Sequence, residues 1–324
     1  IAGIYGANKG SVSKESAINK MKIDSQPLGK ITKVIMGLVT RADTVSNNHF
    51  KIDNKLKAKK GDGIYVLNRK EIENLNLNEE DYKKYVRPFF KNSDIQRYKS
   101  RLLNDLYLLY VKDYGQPIKL PTSLDIHFKR FQNLLTKLKE NFLKNKIAAT
   151  FVKKWLSNGN YFVLFNPKEE DYFNSEKIIC PYRSKINSFA YNDIEWFASQ
   201  DVAFILPKSQ SYLLKYILAI LNSNLCYNWL YNKGKRKGST LELYATPLKA
   251  IPIKECNITT QQLFVNLVDT IINNKTEGKD TSILENEVNI MVYKLYKLTY
   301  DEVKFIDPEI EKFISKKEYE IMEV

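Results

Sequence analysis

The sequence predicts an α+β fold, a mixed α/β chain in which a β-rich body with spacer helices is followed by a C-terminal helical hairpin. Three observations lead there. Short apolar runs of strand length recur between residues 31 and 253, and two stretches near 126–144 and 211–231 place apolar residues at helical spacing. Beyond residue 257 the spacing is helical throughout. The 324 residues, 44% hydrophobic and 12% aromatic, suffice for a substantial core, which excludes wholesale disorder.

Residues 1–26 are rich in Gly, Ser and Lys with weak periodicity, as in a linker or the tail of a preceding element, and the first residue is Ile1, as in a piece of a longer polypeptide. Residues 31–35 have strand character and stop at Gly37, a polar loop covers 40–48, and 63–67 reads as a second strand. Residues 106–111 form a buried strand. Ser123 or Asp125 can cap a helix over 126–144, whose Phe131, Leu134, Leu135, Leu138 and Phe142 make one stripe. Runs at 177–180 and 202–206, each stopped by a proline, are strands. Residues 211–231 form a helix and 248–253 the last strand. The hairpin follows, with Leu263, Leu267 and Ile271 on one stripe and Val288, Met291, Val292 and Leu295 on the other. Thr281 or Ser282 can cap its second helix, with Glu285 near capping-box distance. The expected division is therefore 27–256 for the body and 257–324 for a helical region packed on it.

The chain has 51 Lys and Arg against 37 Asp and Glu, a formal net charge of +14. Residues 257–324 contain 8 Lys and 13 Asp and Glu, so they carry −5 and residues 1–256 carry +19. Such a field suits phosphate neutralisation, although a solvated Lys- and Asn-rich surface gives the same count. Two segments concentrate it. Residues 129–154 hold 8 Lys and Arg and one acid, Glu140, which fits a helix along a phosphate backbone or a solvated face. Residues 232–240 set Lys233, Lys235, Arg236 and Lys237 around Gly234 and Gly238, where close backbone approach favours a nucleic-acid contact. Many of the 21 tyrosines adjoin a cation, as at Arg97-Tyr98 and Tyr182-Arg183, which suits hydrogen bonding to phosphates and bases.

Patterns that carry catalysis are missing from these residues. Gly3, Gly6 and Gly10 do not make a dinucleotide loop, and no phosphate-binding GxxxxGK[ST] occurs. Cys180, Cys226 and Cys256 lie far apart, and with His49 and His127 they have no metal-ligand spacing. Asn166-Pro167 continues with Lys168, unlike the loop of an amino-methyltransferase, and the Glu309–Lys312 stretch is a superficial match to a nuclease motif. No apolar run reaches the about 18 residues of a membrane span, and no leader peptide is recognisable. The expected setting is bacterial or archaeal cytoplasm.

Several segments together resemble one family. Pro27-Leu28-Gly29 with Gly37-Leu38-Val39-Thr40-Arg41-Ala42-Asp43 is similar to the opening of the TaqI-like C-terminal specificity domain. Arg87-Pro88-Phe89-Phe90-Lys91-Asn92-Ser93-Asp94-Ile95-Gln96-Arg97-Tyr98 resembles its next motif, and His127 stands where the family often starts its spacer helix. Lys177-Ile178-Ile179-Cys180-Pro181, Asn187-Ser188-Phe189, Tyr216-Ile217-Leu218-Ala219-Ile220-Leu221-Asn222-Ser223 and Leu248-Lys249-Ala250-Ile251-Pro252-Ile253 resemble later ones, as does Val292-Tyr293-Lys294-Leu295-Tyr296-Lys297-Leu298-Thr299. The likeness runs over about residues 27–307. Arg41 departs from it, since the family usually has Gly there, and Arg183-Ser184-Lys185 is peculiar to this chain.

The resemblance implies the target-recognition region of type IIG restriction-modification enzymes and related adenine-specific DNA methyltransferases. The partners implied are double-stranded DNA and a methylase domain in cis, with S-adenosylmethionine bound by that domain and no cofactor in this fragment. On that reading Arg41, Arg97, Tyr98, Arg183, Lys185 and Asn187 are candidates for base edges, while Lys91, Lys129, Lys233, Lys235, Arg236 and Lys237 are candidates for phosphates. Arg97 could instead pair within its own turn. The alternative from another class is a non-catalytic docking module of a restriction or phage-defence complex, and a third is an unrecognised nuclease.

Overall fold

The computed structural model describes residues 13–143 and 149–323. Gly3, Gly6 and Gly10, and Lys144 and Lys146 of the expected basic helix, lie outside them. The first strands are β1 (Ser25–Pro27), β2 (Thr32–Met36), β3 (Val66–Asn68), β4 (Val86–Phe90), β5 (Tyr98–Lys99), β6 (Leu106–Leu109) and β7 (Lys177–Pro181). The series continues with β8 (Arg183–Ser184), β9 (Ala190–Asn192), β10 (Phe197–Ala198), β11 (Val202–Pro207), β12 (Arg236–Lys237), β13 (Thr240–Glu242) and β14 (Pro252–Lys254). Helices interleave with these strands and alone follow β14, the α+β arrangement expected.

β11 organises the fold from inside a five-stranded sheet of order β2-β11-β7-β9-β5, paired with β2 on one side and β7 on the other. Its unbroken apolar run reflects burial on both faces. Ala203 and Ile205, with Val34, Ile178 and Cys180, face a helical core, whereas Val202, Phe204 and Leu206, with Ile179 and Ala190, face a second core. The helical core draws on Leu214–Asn222, Asn224–Lys233, Ile258–Thr276, Ser282–Leu295 and Tyr300–Ile306. The second joins a four-stranded sheet of order β10-β4-β6-β3 to the helices Thr122–Lys129, Gln132–Leu143 and Ala149–Ser157.

This packing corrects the expected division of the chain. Residues 14–27 are no linker, because the helix Lys14–Lys20 buries Ala17 and Ile18 in the helical core, Lys20 pairs with Glu302 at 2.6 Å, and β1 pairs with β14. No packing boundary falls at 256/257 either, since Ile258–Thr276 and Ser282–Leu295 share one core with the helices before β12. Apolar stripes of helices bury against whatever apolar surface lies nearest in space, whatever the order in the chain.

Several element ends also move. The helix expected over 126–144 is two helices, broken at Arg130 and Phe131, where the buried Phe131 packs 5.4 Å from His127. Pro121 holds the N-cap position in place of Ser123 or Asp125. The 211–231 helix breaks at Ser223, whose Oγ accepts from the Cys226 N–H and so starts Asn224–Lys233. The 248–253 strand is the helix Ala245–Lys249 followed by β14. At Thr281 the hydroxyl donates to Glu285.

Lys139, expected on a basic helix face, is fully buried, with Nζ donating to the Val163 carbonyl at 2.9 Å and lying 4.5 Å from the Phe165 ring. Burial pulls its ammonium down from the ordinary lysine value to about 7. Between that value and the unfolded one the unfolded chain binds the extra proton, so stability rises with pH across the window and the penalty is fully present below it. The Val163 carbonyl keeps the Tyr65 hydroxyl as a donor. Lys139→Met is therefore expected to raise the melting temperature by about 2–4 °C at pH 6 and by progressively less towards pH 10, read from thermal melts across that range.

Candidate nucleic-acid interface

The basic stretch after Asn224–Lys233 folds as a hairpin of β12 and β13, turned by Gly238 and Ser239. Gly238 has φ +62° and Ser239 stays outside that region, the pattern of a type II′ turn with glycine first. Leu241 and Leu243 alternate inward and are fully buried, which anchors the hairpin and turns Glu242 away from the core. β13 pairs in turn with β8, setting Glu242 opposite Arg183 and Leu241 opposite Ser184. The Leu243 N–H donates to the Tyr182 carbonyl at 2.7 Å and the Tyr182 N–H to the Asp201 carbonyl at 2.6 Å, so this small sheet is fastened to the turn before β11.

Cations from two separate stretches thereby meet. Lys185, Lys235, Arg236 and Lys237 are exposed. Among the described residues, Lys185, Lys235 and Lys237 have no carboxylate partner, while Arg236 lies over the Tyr231 ring at 4.0 Å. Arg183 pairs with Glu242 at 3.0 Å. Lys233 is turned towards Glu15 at 3.1 Å.

Arg41 rises from the same end of the five-stranded sheet. Met36 is opposite Ala203 and Pro181 opposite Val202, so the exits of β2 and β7 and the entry to β11 lie together. β2 leaves at Gly37, where a Cβ would stand 2.3 Å from the Ser199 carbonyl oxygen, so only glycine lets the chain pass. Arg41 follows with φ +63°, and its guanidinium lies 4.4 Å from the Phe142 ring. That left-handed backbone is the physical reason glycine suits this position. Thr40, Arg41, Asp43, His49 and Asp201 line an open hollow of about 440 Å³. Burial pushes the Asp43 carboxyl up against the opposing hydrogen bond from Thr40. Lys91, exposed just after β4, belongs to this end too, because Phe90 is opposite Ala198.

Three base-edge candidates lie elsewhere. Arg97 pairs with Glu285 at 3.1 Å, donates to the Asn222 carbonyl at 2.7 Å and reaches both the backbone and side-chain oxygens of Asn187. Asn187 is buried, with its amide donating to the Leu221 and Ser223 carbonyls at 2.8 Å each. Tyr98 is fully buried in β5 with φ +70°. Arg97 and Asn187 lock the edge of the sheet to the helices and have their polar groups engaged, while the Tyr98 hydroxyl is enclosed without a partner. Burial opposes the charge on Glu285, yet Lys275, Arg97 and Thr281 together hold its carboxyl below the usual range. Lys129 is exposed but pairs with Asp125 on its own helix at 2.7 Å, apart from the hairpin.

Tyr182, singled out by its neighbour Arg183, belongs to the cluster, and so do Glu242 and Tyr244, which sequence reasoning does not single out. The signal was the polar–apolar alternation Thr240-Leu241-Glu242-Leu243 directly after Gly238-Ser239, a hairpin pattern. Among the described residues no group of His, Cys, Asp and Glu could hold a metal ion, and no helix is long and apolar enough to cross a membrane.

The TaqI-like C-terminal specificity domain family matches residues 87–253, just over half of the chain and the stretch from β4 through the basic hairpin into β14. This chain belongs to that family. As a specificity domain it is 25% identical over 243 residues to the type II methyltransferase M.MjaIV of Methanocaldococcus jannaschii, covering 71% of this chain and 74% of that protein. It is 27% identical over 195 residues to the type II methyltransferase M.HincII of Haemophilus influenzae, covering 58% of this chain and 37% of that protein. The fold of the specificity domain resembles part of the type IIL restriction-modification enzyme MmeI, solved in complex with DNA, with a TM-score of 0.50 and 16% identity over 90% of this chain and 34% of that one. The specificity domain thus spans about a third of the length of M.HincII and of MmeI.

Proposed function

We propose that this specificity domain recognises a short sequence of double-stranded DNA and presents an adenine within it to a methylase module in the same polypeptide. The observation that carries the reading is the basic sheet of β8, β12 and β13, which lies within the family match and exposes Arg183, Lys185, Lys235 and Lys237, with Arg236, opposite the inward Leu241, exposed beside Tyr231. Arg41 and Lys91 extend the same end of the fold. In this arrangement Lys91, Lys235, Arg236 and Lys237 hold phosphates and set register, while Arg41, Arg183 and Lys185 are placed for base edges. Methyl transfer and its S-adenosylmethionine belong to the partner module.

Phosphate contacts release counterions, so the logarithm of affinity should fall linearly with the logarithm of salt, with a slope of about −0.9 per contact. Lys235→Ala and Lys237→Ala are each expected to flatten that slope by about 1 and to weaken every duplex alike, measured by fluorescence anisotropy at several salt concentrations. An unchanged slope in the double variant removes the hairpin from the interface.

A further inference from the structure

We infer that Glu242 is a positioning residue that presents Arg183 to a guanine edge, an inference that rests on the DNA-recognition reading above. Arg183 and Glu242 are cross-strand partners on β8 and β13. Both Nε and Nη2 of Arg183 donate to the same oxygen, Glu242 Oε1, at 3.3 and 3.0 Å. This engages one side of the guanidinium and leaves its end, Nη1 with the remaining Nη2 hydrogen, as a free two-donor fork. Guanine offers two neighbouring acceptors, O6 and N7, in the major groove, which such a fork fits end-on.

The support behind Arg183 is layered. The Tyr182 ring lies 5.1 Å from the guanidinium and packs 5.8 Å from Tyr244. Glu242 is only 19% exposed, while Arg183 is 51% exposed, so the carboxylate is recessed and the arginine reaches outward. Lys185, Lys235 and Lys237 nearby offset the carboxylate charge towards a polyanion. An unsupported arginine on a surface samples many rotamers, and fixing it beforehand favours one base over the others. An exposed ion pair kept only for stability would contribute little, so a structural role leaves base preference untouched.

The test is selection of bound duplexes from a randomised library, read by sequencing, with the whole chain and its variants. The wild type is expected to enrich guanine at one position. Arg183→Ala and Glu242→Ala should each lower that enrichment by about tenfold, and the double variant should lose no more than either alone. Glu242→Gln keeps an acceptor oxygen and should retain most of the preference, whereas Glu242→Lys repels Arg183 and should lose it. Removing the carboxylate should meanwhile leave random-duplex affinity equal or tighter, which separates positioning from loss of the fold. The inference is overturned if Glu242→Ala and Glu242→Lys keep the wild-type preference, or if preference and random-duplex affinity fall together. A wild type that binds without any preference overturns the recognition reading itself.

Discussion

Trp196→Ala is expected to destabilise the fold by about 4 kcal/mol. Trp196 is fully buried, stacks on Phe90 at 4.8 Å and meets Phe204 at 6.2 Å edge-on. Those contacts join β4 of the four-stranded sheet to β11 of the five-stranded one. Its indole N–H also donates to the Arg101 carbonyl at 3.1 Å, so truncation opens a cavity and removes a partly buried hydrogen bond together. Urea titration should show the midpoint falling with the slope unchanged. A loss below about 1 kcal/mol contradicts a shared core between the two sheets.

Arg97→Ala is expected to lose about 3 kcal/mol by a different route. It leaves the half-buried Glu285 with Lys275 and the Thr281 hydroxyl and takes a donor from both Asn187 and the Asn222 carbonyl. Arg97→Lys keeps the charge but lacks the fork that reaches three partners, so it should recover only part of the loss. Neither substitution is expected to alter base preference at temperatures where the variant is folded. If Arg97→Ala is as stable as the wild type and relaxes preference at one base pair, Arg97 reads a base edge and the locking role falls.

Arg97 also shows where the sequence stops being legible. Its partners lie far along the chain, in the segments containing Asn187, Asn222 and Glu285, and an arginine beside a tyrosine looks the same whether it reads a base or ties a sheet to a helix. Three segments that carry the family resemblance, around Arg97, Asn187 and Asn222, converge on that one network, so part of the resemblance is a record of packing. Asn222 gives the clearest case, since its amide both accepts from and donates to the backbone of Phe189. The apolar runs were read well because burial on two faces leaves no polar residue in Val202–Leu206, a local signal for a long-range fact. The basic loop shows its charge in the sequence but not its hairpin, because Gly238-Ser239 sits among lysines that hide the alternation after it. Lys139 misleads for the opposite reason, since its charge suggests an exposed face although its stem and tip are both enclosed.

The charge asymmetry also gains a physical meaning. Residues 257–324, net −5, supply Glu285 to the lock and helices to the core, whereas the basic hairpin, Arg41 and Lys91 come from the +19 before them. The C-terminal helices and the hairpin's Leu241 and Leu243 share the helical core, whereas Ala42 and Phe90, beside Arg41 and Lys91, belong to the second core.

The most direct test of the central claim is whether the wild-type chain alone selects a sequence from randomised duplex DNA at moderate salt. The account predicts retention that weakens steeply with salt and enrichment of one short motif. Absence of retention, or retention with no motif enriched, contradicts it and favours a module that docks to protein.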